Sequence, residues 1–98
     1  MEKWKTTKLK RLAKAMLTLK KGEDMLGFLR DLLTLDELEE ISGRWQAVEL
    51  LDKGKTYREI AEKTGLSTTT VTRIAHWLEH GEGGYGKALK NIKKHPIK

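Results

Sequence analysis

Apolar residues recur along this chain at steps of three and four, with almost no strict alternation, which predicts helices throughout and argues against a sheet. Leu9, Leu12, Ala13, Met16, Leu17 and Leu19, separated by lysines, form the stripe of an amphipathic helix ending near Gly22. Met25, Leu26, Phe28, Leu29, Leu32 and Leu33 make a second helix, short and very apolar. Thr34-Leu35-Asp36-Glu37 then reads as a capping box, in which the threonine hydroxyl accepts from the Glu37 amide and the Glu37 side chain reaches back. The third helix it opens carries Leu38, Ile41, Trp45, Val48 and Leu51 on one face, and Gly54 is placed to close it in a left-handed conformation. Leu38, Leu50 and Leu51 point in different directions, so the three helices display more apolar surface than so small a chain readily hides. A homodimer interface is the expected sink, with internal packing in a monomeric bundle as the competing arrangement.

Downstream the pattern changes to two short helices separated by a turn. Thr56-Tyr57-Arg58-Glu59 is a second capping box, opening a helix from Tyr57 to about Thr64 that turns Ile60 and Ala61 inward. Gly65 suits a tight left-handed turn, Leu66 plugs the angle between helices, and Ser67 caps a helix from Thr68 to about Glu79 with Val71, Ile74 and Leu78 inward. Ala61 is small where the two helices must cross closely. Ala61, Gly65, Leu66, Val71 and Ile74 therefore meet the steric needs of a helix-turn-helix at residues 56–79. The outward positions of its second helix are Ser67, Thr68, Thr69, Thr70, Thr72 and Arg73, with His76 beside them. Hydroxyls bond phosphates or base edges and set a methyl against thymine, and an arginine clamps a phosphate or the O6/N7 edge of guanine. Tyr57, Arg58 and Lys63 on the preceding helix are the candidate backbone contacts. The plainer reading is that these threonines are only residues favoured at a helix start.

Charge strengthens the nucleic-acid reading through its distribution. Residues 1–22 carry eight Lys/Arg against one acid, residues 23–52 two against nine, residues 53–80 five against three, and the remainder five against one. An acidic middle flanked by basic ends suits segments that approach phosphates. The organisation expected is a basic N-terminal arm and helix (1–22), a helical domain (23–80) ending in the helix-turn-helix, and a glycine-rich hinge with a basic tail (81–98).

Candidate chemistry mostly subtracts. There is no cysteine, which removes disulfides and thiolate sites, and no apolar run suited to a signal peptide or membrane span, so a cytoplasmic protein is expected. His76 and His80 sit one turn apart, but Trp77, Leu78 and Glu79 between them do not make a His-Glu-x-x-His pattern, and no metal site is expected. Gly81-Glu82-Gly83-Gly84 lacks the Lys-Ser/Thr of a phosphate-binding loop. With no Ser/His/Asp arrangement or cleft-forming carboxylate pair, the chain is read as a non-enzyme without a cofactor. Trp4 and Trp45 are read as hydrophobic anchors.

Leu33-Thr34-Leu35-Asp36-Glu37, Arg44, Val48-Glu49-Leu50-Leu51, Gly54 and Thr70-Val71-Thr72-Arg73 together resemble the Trp repressor family over about residues 25–80. The segment Gly81-Glu82-Gly83-Gly84-Tyr85-Gly86-Lys87-Ala88-Leu89 is similar to its YerC/YecD-like branch. The resemblance implies an intertwined, all-α homodimer whose two recognition helices read a palindromic operator in double-stranded DNA, with half-sites about 34 Å apart. In tryptophan-responsive members an indole lies between two arginines; the matching positions here are Arg44 and Arg73, with Thr34 and Thr70 nearby in the pattern. Where those members have a glycine and a serine against the ligand, this chain has Ile74 and Trp77. Larger side chains overlap an incoming ring, and a lost hydroxyl leaves a buried ammonium short of an acceptor, so tryptophan is not the expected effector. Trp77 is expected either to plug the pocket or to belong to the core. The function expected is a sequence-specific DNA-binding transcriptional regulator acting as a repressor, against which stand a non-catalytic helical interaction module and a non-specific nucleic-acid binder.

Overall fold

In the computed structural model, which describes residues 2–95, the chain is all-α. Six helices follow one another with no strand among the described residues: α1 (Thr7–Leu17), α2 (Gly22–Leu32), α3 (Leu35–Asp52), α4 (Tyr57–Thr64), α5 (Thr68–His80) and α6 (Gly84–Lys94). Two compact units emerge, Met1–Leu38 and Glu39–Lys98.

In the first unit the Thr6 hydroxyl accepts from the Leu9 amide at 3.1 Å and starts α1. The helix ends at Leu17, several residues before the expected stop near Gly22, which instead opens α2. Thr18 is the reason: its hydroxyl donates to the Ala15 carbonyl at 2.6 Å and its amide to the same carbonyl at 3.2 Å, while the Leu19 amide bonds Met16, closing the last turn early. Neither α1 nor α2 contains a buried residue, and Leu9, Leu17, Leu26, Leu32 and Leu35 are exposed. Trp4 is half exposed, with the Lys5 ammonium 5.4 Å from its ring centre.

The box at Thr34 forms in both directions: Glu37 N–H donates to the Thr34 hydroxyl at 3.1 Å, and Thr34 N–H donates to the Glu37 carboxylate at 2.9 Å. That backbone bond first, and the Thr34 side chain second, hold the Glu37 carboxyl below its ordinary value. A carboxyl depressed in the folded state stabilises the fold above its ordinary value and surrenders that contribution as pH falls through the lowered one. The stability difference between wild type and Glu37→Gln is therefore expected to shrink on acidification from about pH 6 to about pH 3. Paired urea titrations read it, and a difference constant across that range would contradict the assignment.

The second unit contains the core. Ala47, Val48, Leu50, Ile60, Val71 and Ile74 are buried, with Trp45, Leu51, Ala61, Leu66, Leu78, Tyr85 and Leu89 packed against them. The inward stripe of α3 is displaced from the expected one. Gly43, Ala47, Val48 and Leu50 are buried, whereas Ile41 is half exposed. Another segment lies close to this side at Gly43. A Cβ placed on Gly43 would lie 3.5 Å from the Thr64 carbonyl oxygen and 3.9 Å from the Leu66 side chain, so the end of α4 and its turn seat directly on this face.

Residues 81–98, expected as a glycine-rich hinge and basic tail, instead include a helix at Gly84–Lys94; the last three residues lie outside the described ones. Tyr85 meets Trp45 with ring centres 6.3 Å apart, and Lys93 Nζ lies 2.9 Å from Asp52 Oδ2, so both ends of α6 are held. Gly81 ends α5 with its amide bonded to the Trp77 carbonyl at 2.8 Å, and a Cβ there would run into that same oxygen. Gly81→Ala is expected to cost more than about 1 kcal/mol, because the backbone must leave a conformation the new side chain does not fit. Chemical denaturation measures this; a neutral result would mean the α5–α6 connection relaxes freely.

Candidate nucleic-acid interface

Helices α4 and α5 are built by local chemistry that their sequence states openly. Thr56 accepts from the Glu59 amide at 3.1 Å, and its hydroxyl donates to the Glu59 carboxylate at 3.2 Å, so the box closes through side chains. Ile60 is fully buried one turn later. Thr64 folds back onto the Ile60 carbonyl at 2.7 Å and accepts from the Leu66 amide at 3.2 Å, and Gly65 takes φ 76° between them. A β-carbon in that left-handed well meets the following carbonyl, which is why glycine stands at this corner. The Ser67 hydroxyl then accepts from the Thr70 amide at 3.1 Å and donates to the Thr70 hydroxyl at 3.0 Å, starting α5.

The result is two helices joined by three residues, one side of α5 sunk into the core through Val71 and Ile74. The opposite side is a continuous exposed stripe, Thr68, Thr69, Thr72, Arg73 and His76, at the steps that keep residues on one helix face. Thr72 donates its hydroxyl to the Thr68 carbonyl at 2.9 Å, which leaves the oxygen's lone pairs free to accept. Thr70 differs from its neighbours: it is half-buried and engaged with Ser67, so of the expected set it is the residue tied to the cap. Ser67 itself is exposed. Tyr57 and Arg58 stand exposed on the first turn of α4 and Lys63 on its last. Arg58 makes only a 3.6 Å pair with Glu62, both side chains largely in solvent, and so remains available to an anion. Tyr57, Thr72 and His76 line one surface hollow between α4 and α5.

The residues of the implied effector pocket divide between the units, Thr34 in the first as the cap of α3 and the other five in the second. Thr70, Arg73, Ile74 and Trp77 occupy one edge of α5 at steps of three and four; Ile74 is buried, whereas Arg73 is exposed and Trp77 is 55% exposed. Trp77 thus lies outside the buried core of this chain and walls a hollow with Gly81 to Tyr85. Arg44 lies on α3, exposed and 3.6 Å from Glu40. His76 and His80 have ring centres 5.0 Å apart, and His80 lies 3.4 Å from Glu79. Among the described residues no three His, Asp or Glu side chains converge to hold a metal ion, and no helix is long and apolar enough to cross a membrane.

Sequence reasoning missed Gly43 and the packing side of α6, although Gly43, Ala47 and Leu50 at steps of four and three, and Tyr85, Leu89 and Ile92 at steps of four and three, are legible helical patterns.

This architecture, helices alone with a helix-turn-helix seated on a longer helix, defines a class of small regulator folds. Comparison places the chain within it. The family model described as Trp repressor protein matches residues 7–93, and the chain belongs to that family. It is 32% identical over 94 residues to the uncharacterized protein YerC of Bacillus subtilis (strain 168), spanning 96% of this chain and 90% of YerC. A TrpR-like protein from Eubacterium eligens superposes with a TM-score of 0.84 at 34% identity, covering 93% of this chain and 94% of that one. A solved structure from Staphylococcus aureus gives the same TM-score, 0.84, at 32% identity over 93% and 91% of the two chains.

Proposed function

We propose that this protein is a cytoplasmic transcriptional regulator, a repressor, that binds a palindromic operator as a homodimer and reads it with α5. The observation that carries the reading is the exposed stripe Thr68, Thr69, Thr72, Arg73 and His76 on a helix whose other side is locked in the core. A rigidly held helix with short hydroxyl side chains and one arginine fits the major groove, where such groups bond base edges and phosphates. Arg58 and Lys63 supply backbone contacts, and Ser67 and Thr70 define how α5 begins. The homodimer is supported by the apolar residues left exposed on α1, α2 and the start of α3, a surface that a second copy would cover. Family membership supports DNA as the partner. Tryptophan is disfavoured as an effector, because Ile74 and Trp77 stand where tryptophan-responsive members have a glycine and a serine against the indole.

Selection of random duplexes on the purified protein near physiological salt, followed by sequencing of the bound pool, tests the proposal. An enriched palindrome with half-sites about one helical turn apart is the expected result. Salt-sensitive retention without a motif would reduce the protein to a non-specific binder, and no retention would overturn the reading in favour of a protein-interaction module. Sedimentation is expected to return the mass of two chains.

A further inference from the structure

Two contacts orient α6 on the second unit. Tyr85 lies against Trp45, and Lys93 pairs with Asp52. The first residues of these pairs are eight apart on α6 and their partners seven apart on α3. At about 1.5 Å per residue both intervals span about 11–12 Å, so α6 runs beside the second half of α3 in the same direction. Its C-terminal end is therefore brought to the turn that leads from α3 into α4.

That turn holds Lys53 and Lys55, both exposed, and passes directly to Arg58 on the first turn of α4. Tyr85 and Leu89 take the inner side of α6, packed against the core, and Lys87, Lys90 and Lys94 stand exposed at steps of three and four away from it. The acid at this end, Asp52, is already paired with Lys93 at 2.9 Å. What remains is a run of free cations that begins on α6, crosses the turn and joins the helix pair bearing α5.

We propose that Lys90 and Lys94 on α6, together with Lys53 and Lys55 in the α3–α4 turn, form a second phosphate-binding surface that grips duplex backbone beside the groove entered by α5. The inference rests on the DNA-binding reading and extends it to an element outside the helix-turn-helix. Lysines suit this role: a compact ammonium on a flexible stem meets a phosphate without demanding one geometry, and so adds affinity without sequence preference. None of the exposed residues of α6 is aromatic, so this face lacks the stacking platform that binding of unpaired bases uses.

The test measures binding of the full-length protein to its selected operator, with duplex extending beyond both half-sites, as a function of salt. Each lost phosphate contact lowers the slope of log K against log salt by about 0.9, and each substitution is present in both subunits, so Lys53→Gln, Lys90→Gln and Lys94→Gln together are expected to flatten it by about 5. Affinity is expected to fall by the same factor for operator and for unrelated duplex, with the thermal melt unchanged. The three single variants are each expected to take about a third of that change, one contact from each subunit, which keeps the proposal testable should the triple variant fold poorly. An unchanged slope in variants of a protein that still prefers its operator overturns this surface and leaves the regulator reading intact. A changed ratio of operator to unrelated affinity also overturns it, because phosphate contacts carry no preference. Absence of duplex binding by the wild type overturns both readings.

Discussion

Ile60→Ala is expected to destabilise the second unit by about 2–5 kcal/mol, the usual cost of emptying a fully buried aliphatic site. Ile60 has no accessible surface and belongs to the same core as Val48, Val71 and Ile74. Its own helix has eight residues, too short to persist in water without tertiary packing. The cavity would open between the helix that carries Ile60 and the one that carries Val71 and Ile74. For a domain whose total stability is about 5–15 kcal/mol this is a large fraction. Thermal unfolding is expected to drop by at least about 8 °C, and a loss below about 1 kcal/mol would show that the site repacks.

The second large effect concerns specificity. Thr69→Ala with Thr72→Ala is expected to abolish preference for the operator while leaving the fold intact. Both residues are exposed on α5, and alanine is the better helix former, so stability should hold or rise slightly. Base contacts of good geometry discriminate by about 1–3 kcal/mol each, so two of them correspond to a ratio of at least about 30-fold between operator and scrambled duplex. Competition binding with the two duplexes measures that ratio. A ratio unchanged in the double variant would move base reading elsewhere on the surface.

The α4–turn–α5 region was legible because its determinants are local. A cap hydroxyl three residues before its acceptor's partner, a glycine at a left-handed corner and apolar residues at helical spacing all act within one or two turns, and each stands where the sequence places it. The inward side of α3 was legible at Trp45, Val48 and Leu51 but not at Ile41, because periodicity weights bulk. Ile41 draws attention, yet it is Gly43 that faces Thr64 and Leu66, where a β-carbon would lie in ordinary contact at 3.5–3.9 Å. Helix α6 was hidden for a similar reason: glycines at 81, 83, 84 and 86 suggest a loose segment, whereas its order comes from Trp45 and Asp52, forty residues away in the chain. The DNA-facing residues were recognisable as a pattern of side chains, but the engagement of Thr70 with Ser67 depends on cap geometry that a sequence does not display.

The seat at Gly43 has an evolutionary corollary. Where α4 ends, the helix pair is positioned by a glycine face against a backbone carbonyl, together with the inward residues Ile60, Val71 and Ile74. The outward positions of α5 share no atom with that seat. Mutation can therefore explore them without tilting the helix, and one scaffold can be retargeted to new DNA words through a handful of exposed side chains. A side chain larger than alanine at Gly43 would instead press on the end of α4 and re-aim the whole reading head, altering every contact at once.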